Sequence, residues 1–210
     1  MNIDDWSKDS SLEQGSDAWK AARTRRIGGS DIAVIMGVSP YRTRRELWAE
    51  KTGRVKERDI ANLPHVKRGV DAEPIARALL EKRRGVTYIS PVLVHPTYSW
   101  AVASLDGLCD RHTLEIKTMS LEKHLDVRDL GEIPDYYDLQ MQWGLLIARA
   151  MRLPAKVGLF ASYRPEDGSL YEMWVKPDMA VWASMEAAAH EFMGWVVRDE
   201  EPPDMCTVEL

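Results

Sequence analysis

Cysteine is scarce. The chain holds two in 210 residues, Cys109 and Cys206, and they form no C-x-x-C pair. That leaves no four-cysteine zinc or iron–sulfur site and fits a reduced, cytoplasmic setting. No run of eighteen apolar residues occurs, so no transmembrane helix and no membrane partner are expected. The opening stretch "MNIDDWSKDSSLEQ" lacks a basic n-region and an apolar h-region, so no secretory signal is expected. There is no G-x-x-x-x-G-K-[ST], so no ATP-driven step is encoded. His190 begins "HEF" without a second histidine four residues on, so it is no H-E-x-x-H site.

What is present is an ordinary soluble balance, 45% hydrophobic and 29% charged, enough for one sizeable core. One domain over residues 1–210 is expected, with a polar extension at 1–15 and an acidic tail at 199–210. The net charge of −5 conceals segregation. Residues 1–19 carry net −4, residues 20–84 net +9, and residues 85–210 net −10. A basic third can attract a polyanion although the whole chain is acidic. It can equally be a solvated face.

The pattern predicts helices first. Ser16 caps one through about Arg25, and Ser30 caps a short apolar one after Gly28-Gly29. Thr43 and Glu46 form a capping box for a helix ending at Gly53. Residues 54–66 read as a loop, and Asp71 caps a helix that stops at Gly85. Short β-rich runs follow: "VTYISPVLV", "SWAVASLDG", "TLEIKT", "KVGLFASY" and "LYEMWVK", the last two joined by "RPEDGS". One helix interrupts them, with Leu139, Trp143, Leu146, Ile147 and Ala150 on one face. Another follows Pro177, with Trp182, Met185, Ala189, Phe192 and Val196 at helical spacing. The order predicts an α/β (mixed α+β) fold, a central mixed sheet flanked by helices. The eight Trp and ten Met read as core.

"SLDGLCDRHTLEIKT" breaks the pattern of a core strand. Residues i and i+2 share a strand face, so Glu115 and Lys117 point together while Leu114 and Ile116 point into the opposite layer. Buried charges are paired or bind metal. A structural salt bridge is one explanation. Yet Lys117 alone among the ten lysines has Asp or Glu two residues before it. A turn in "DGLCDRH" folds strand 99–106 back against 113–118 and brings Asp106 toward Glu115. Neighbouring carboxylates repel unless a cation or proton intervenes, and Mg²⁺ or Mn²⁺ suits hard oxygen ligands. Glu73 sits at the edge of the preceding helix's apolar stripe and can reach the same centre. As a first-turn residue it can also simply answer the helix dipole.

Asp106, then Glu115-x-Lys117, with the upstream Glu73, resembles the PD-(D/E)XK nuclease superfamily, although "SLDG" lacks the proline that names it. "EQGSDAWKAARTRRIGGSDIAVIMGVSPYRTRRELWAEKTG", "RGVDAEPIARALLEKRRG" and "LQMQWGLLIAR" narrow the resemblance to the YqaJ-like viral recombinase family, which includes lambda exonuclease. These blocks run from residue 13 to about 150 in the family's order. The resemblance implies a restriction-endonuclease-like core and a metal-dependent 5′→3′ exonuclease. Such an enzyme degrades one strand of duplex DNA from its ends and leaves 3′ single strands for phage-type recombination.

By the same resemblance, Asp106, Glu115 and the Ile116 backbone carbonyl hold Mg²⁺, with Mn²⁺ as substitute, and Glu73 completes the site or supports a second ion. Two ions about 3.5–4 Å apart stabilise attacking and leaving oxygens. Lys117 orients and helps deprotonate the attacking water. Gln140 lies near that water, with Gln142 as the alternative two residues on. Arg23 and Ser30 resemble the pocket for the 5′-phosphate of the DNA end, though a helix cap and a surface arginine would look the same. Arg42, Arg44 and Arg45 read as backbone contacts or solvated charge. The resemblance further implies a homotrimeric ring, a single-strand annealing partner, and a phage or prophage origin in a bacterial host. A structure- or site-specific endonuclease on the same core, or a non-catalytic DNA-end-binding module, are the competing readings.

Overall fold

A computed structural model of the chain describes residues 25–56, 60 and 62–203. The helix expected over 16–25 falls outside them save for Arg25, and so does Arg23. The described elements run α1 (Gly29–Ile35), α2 (Arg44–Lys51), α3 (Pro64–Arg84), β1 (Val92–Val94), β2 (Val102–Ser104), β3 (Gly107–Leu108) and β4 (His112–Lys117). After these come α4 (Leu121–Asp129), α5 (Asp135–Ala150), β5 (Val157–Arg164), β6 (Ser169–Val175) and α6 (Met179–Arg198). No helix among them is long and apolar enough to cross a membrane.

The main sheet has the order β3-β4-β5-β6, and β1 pairs with β2 in a separate ribbon. β4 and β5 are parallel while the outer pairs are antiparallel, the mixed sheet expected. Parallel neighbours need a crossover, which α4 and α5 supply. α5 lays Leu139, Trp143, Leu146 and Ile147 against Phe160 of β5, and α6 adds Trp182, Met185, Ala189 and Phe192 to that core. The opposite face of β4, Leu114 and Ile116, packs with Ala72, Ala76 and Leu80 of α3. The sheet thus lies between two apolar layers, and the polar residues of β4 must emerge at its end.

Several expectations change. Ser30 is the second residue of α1; the cap is Gly28, whose N–H donates to Asp31 Oδ2 at 3.0 Å. The Thr43–Glu46 capping box stands as expected. α3 starts at Pro64 rather than Asp71, with Pro at its first turn and Pro74 inside it. A proline at N1 lacks only an N–H that would be orphaned anyway, which is why the helix begins inside the expected loop. Gly85, with φ 62°, ends it in the left-handed conformation glycine tolerates. Strand 99–106 does not fold back on β4. Its partner is β1, and the two residues after Asp106 form the antiparallel neighbour of β4 instead. α4, capped by Ser120, is an element absent from the sequence reading.

Candidate active site

Asp106 stands immediately before β3, where the register Gly107↔Leu114 sets it beside the outgoing half of β4. Its Oδ2 accepts the Ile116 N–H at 2.8 Å, and its side chain is nearly enclosed, with 8% of the residue exposed. Glu115 is 4% exposed. Its Oε1 accepts from Lys117 Nζ at 2.5 Å and from Gln140 Nε2 at 2.6 Å. Lys117 keeps 22% of its side chain in solvent and lies 5.1 Å from the centre of the Tyr137 ring. The i, i+2 rule therefore holds: Glu115 and Lys117 leave the strand on one face and meet.

Glu73 approaches from α3 and pairs with Arg77 one turn on, while Arg77 Nε donates to the Asp106 carbonyl at 2.8 Å. Glu73 therefore stands on the third turn of a longer helix, held by an arginine rather than by the helix terminus. Gln140 faces the carboxylates and Gln142 does not. Gln142 is buried, donates to the Lys176 carbonyl at 2.9 Å, and accepts from Asp178 N at 3.0 Å and Trp182 Nε1 at 2.7 Å. It is a structural pin between α5 and α6.

The electrostatics are those of crowded carboxylates. Burial pushes Glu115 up to about 8, with Asp106 and Glu73 adding repulsion against the pull of Lys117. Burial also raises Asp106, opposed by Lys117, the Ile116 N–H and Arg77. Glu73 is raised by burial and by Asp106. Burial alone would lower Lys117, but Glu115 and Asp106 outweigh it and hold the ammonium charged. Lys117 and Arg77 against three carboxylates leave a net negative recess when all are ionised.

No group of three or more His, Cys, Asp or Glu among the described residues is arranged to hold a metal ion. Glu73 is engaged with Arg77, and Glu115 with Lys117 and Gln140. The donor chemistry nevertheless fits a hard divalent cation, because every acidic donor is a carboxylate and their mutual repulsion is what such a charge relieves. The Ile116 amide is oriented by Asp106, next to the carbonyl assigned to the same ion.

The N-terminal block meets this centre. A Cβ built on Gly29 would lie 2.8 Å from Gln140 Cγ, so α1 begins directly against the glutamine. Ser30 follows on the exposed side of α1. Arg42 is not a free phosphate contact. It pairs with Glu50 and with Asp31, at 2.8 Å to Oδ1, while Lys51 pairs with Asp31 Oδ2 at 2.9 Å. Arg44 donates to the Ile35 carbonyl, and Arg45 pairs with Glu201 on the surface. Sequence reasoning missed Tyr137, which lies under Lys117, and Tyr136 and Tyr41, which continue outward from it. They come from distant segments, and only the "YY" before the apolar face of α5 marked two of them.

Residues 18–151 match the model of the YqaJ-like viral recombinase domain. Over 134 residues the chain is 33% identical to protein YqaJ of Bacillus subtilis (strain 168), covering 62% of this chain and 41% of that protein. It is 28% identical over 179 residues to Protein D345L of African swine fever virus (strain Badajoz 1971 Vero-adapted), covering 71% and 49%. The chain thus spans less than half the length of these curated relatives. Among solved structures, an alkaline exonuclease (LHK-Exo) from Laribacter hongkongensis superposes with a TM-score of 0.74 at 25% identity. That match covers 88% of this chain and 94% of the other.

Proposed function

The chain belongs to the YqaJ-like viral recombinase family, and from that premise we propose that it is a metal-dependent deoxyribonuclease. In this reading it degrades one strand of duplex DNA 5′→3′ from its ends, and the remaining 3′ single strand serves recombination. The observation that carries the proposal is the meeting of Asp106, Glu115, Lys117 and Gln140 at the end of β4. The similarity to a solved alkaline exonuclease supports it.

Asp106, Glu115 and the Ile116 carbonyl would hold Mg²⁺ or Mn²⁺, and Glu73, released from Arg77, would support a second ion. Such ions supply Lewis-acid stabilisation of the attacking and leaving oxygens. The chain's own residues do the rest. Glu115 fixes both the Lys117 ammonium and the Gln140 amide, so two donors face one point from opposite elements. Lys117, kept charged by its carboxylates, donates to the non-bridging phosphate oxygen and holds the incoming water in line. Gln140 orients that water with its amide. Burial behind the Tyr137 ring limits bulk water around these donors and strengthens each contact. Ser30, at the start of the helix that abuts Gln140, is assigned to the 5′-phosphate together with Arg23. The duplex end is the substrate, a homotrimer the working form, and a single-strand annealing protein the partner. These last assignments rest on the family.

The test is digestion of linear duplex with either strand labelled, and of covalently closed circles. Loss of label from the 5′ end inward, with circles left intact, is the expected result. Cutting of circles would favour the endonuclease reading, and an inert protein would favour a binding module.

A further inference from the structure

Tyr41 is 72% exposed, an unusual position for a ring on a tightly held loop. Its flanks are fixed. Its own N–H reaches Ser39 Oγ at 3.3 Å, Arg42 is tied to Asp31 and Glu50, Thr43 caps α2, and Arg44 donates to the Ile35 carbonyl. The ring is thus presented to water by a rigid frame. From it, aromatic contacts lead inward. Tyr41 meets Tyr136 edge-on at 5.7 Å, Tyr136 meets Tyr137 at 4.4 Å, and Tyr137 lies under Lys117 Nζ. A second cation accompanies the path: Lys123 Nζ donates to the Tyr136 hydroxyl at 2.7 Å and stands 5.2 Å from the ring centre.

We propose that Tyr41 and Tyr136, with Lys123, form a stacking site for an unpaired nucleobase of the DNA strand whose phosphodiester reaches Glu115 and Lys117. The inference rests on the nuclease reading and specifies what the enzyme holds beside the scissile bond. Rings interleaved with cations are the arrangement that binds single strands, the rings taking base faces and the cations the intervening phosphates. A base inside a duplex has both faces covered and a terminal base has one, so the site favours a strand frayed from its partner. Every base has a π-face, so the site tolerates any sequence, with only the modest preference that differences in stacking strength bring. The path ends at Lys117, which is paired with the buried Glu115, so a base seated on Tyr41 sets the distance of its phosphate from the reacting centre.

The experiment measures binding by fluorescence anisotropy in chelator, where no cleavage occurs. The probes are short duplexes ending in a single-stranded extension, either of ordinary nucleotides or of abasic sugars. Wild type should bind the extension with bases more tightly than the abasic one. Tyr41→Ser should cut that advantage roughly 5- to 150-fold, the range stacking on one aromatic ring spans. Tyr41→Phe should retain it. Equal weakening on both probes, or none, would overturn the proposal. Because Tyr41 is exposed, its replacement leaves the core intact. Normal digestion of linear duplex with no base-dependent binding would sink this inference alone. Base-dependent binding without any digestion in Mg²⁺ would sink the nuclease reading instead.

Discussion

Gln140 and Gln142 lie two positions apart on α5 and do different work. Gln140 donates to Glu115 at the recess, whereas Gln142 holds Lys176, Asp178 and Trp182 in place. Gln140→Ala should lower kcat at least tenfold while leaving the urea midpoint unchanged. Gln142→Ala should cost about 2–4 kcal/mol of stability, because it orphans a buried indole N–H and two backbone groups. Steady-state kinetics beside urea titrations separate the two, and equal destabilisation by both would remove Gln140 from the site. His112 supports a pH prediction. Burial holds its imidazole down at about 4, helped by Arg84 and Arg111, while its Nε2 meets the Tyr88 hydroxyl at 2.5 Å. The fold therefore contains the neutral ring and the unfolded chain takes the proton first. The resulting stability is complete above about pH 6.5 and is lost as pH falls from there toward 4, by up to about 3 kcal/mol. The difference in unfolding free energy between wild type and His112→Gln, followed from pH 7 downward, should shrink by that amount. A constant difference would contradict the assignment.

Among the described helices, α1 is the shortest. It has seven residues and no side-chain cap, and its position depends on Asp31, which is 1% exposed and joins Gly28, Arg42 and Lys51. Breaking a buried ion pair strands the partner charge, so Asp31→Asn should destabilise the protein by about 3–5 kcal/mol in urea. A loss under about 1 kcal/mol would mean that Lys51 and Arg42 find water instead. Elements with a local signal were legible in the sequence. The Thr43 box, the Gly85 stop, the apolar faces of α5 and α6 and the alternation in β4 all depend on nearest neighbours. The start of α3 was not legible, because Pro64 reads as a breaker until it proves to be the first helical residue. The pairing of β2 was not legible either. A short strand carries too little pattern to choose between β1 and β4, and that choice is made by packing. The site divides the same way. Glu115 and Lys117 follow from spacing, whereas Asp106 is set beside them by the β3–β4 pairing and not by the expected fold-back of strand 99–106. The Arg77 bond to the Asp106 carbonyl and the Tyr41–Tyr136 contact join distant segments that no local rule connects.

At the scale of the molecule, the segregated charge is partly neutralised by the rest of the chain. Several cations of the basic third pair with carboxylates outside it, Arg45 with Glu201, Arg54 with Asp199, Arg68 with Glu166, and Arg83 and Arg84 with Glu172. The sequence count thus overstates the basic surface offered to DNA. Binding to duplex ends should weaken with salt, with a log–log slope of a few counterions rather than nine. Anisotropy titrations between about 50 and 200 mM salt check this, and a slope near nine would mean that these paired arginines leave their carboxylates to contact DNA. The ring proposed from the family resemblance requires assembly, so on that proposal light scattering at micromolar concentration should give a trimer. A monomer that still digests processively would rule the ring out. The most direct measurement of the central claim is digestion of linear duplex, with each strand end-labelled in turn, by wild type and Lys117→Ala, in Mg²⁺ and in chelator. The account predicts 5′→3′ loss of one strand by wild type in Mg²⁺ alone. It predicts no cleavage by Lys117→Ala, whose affinity for duplex ends stays within a few-fold of wild type. Cleavage by Lys117→Ala at the wild-type rate, or undiminished digestion in chelator, would contradict it.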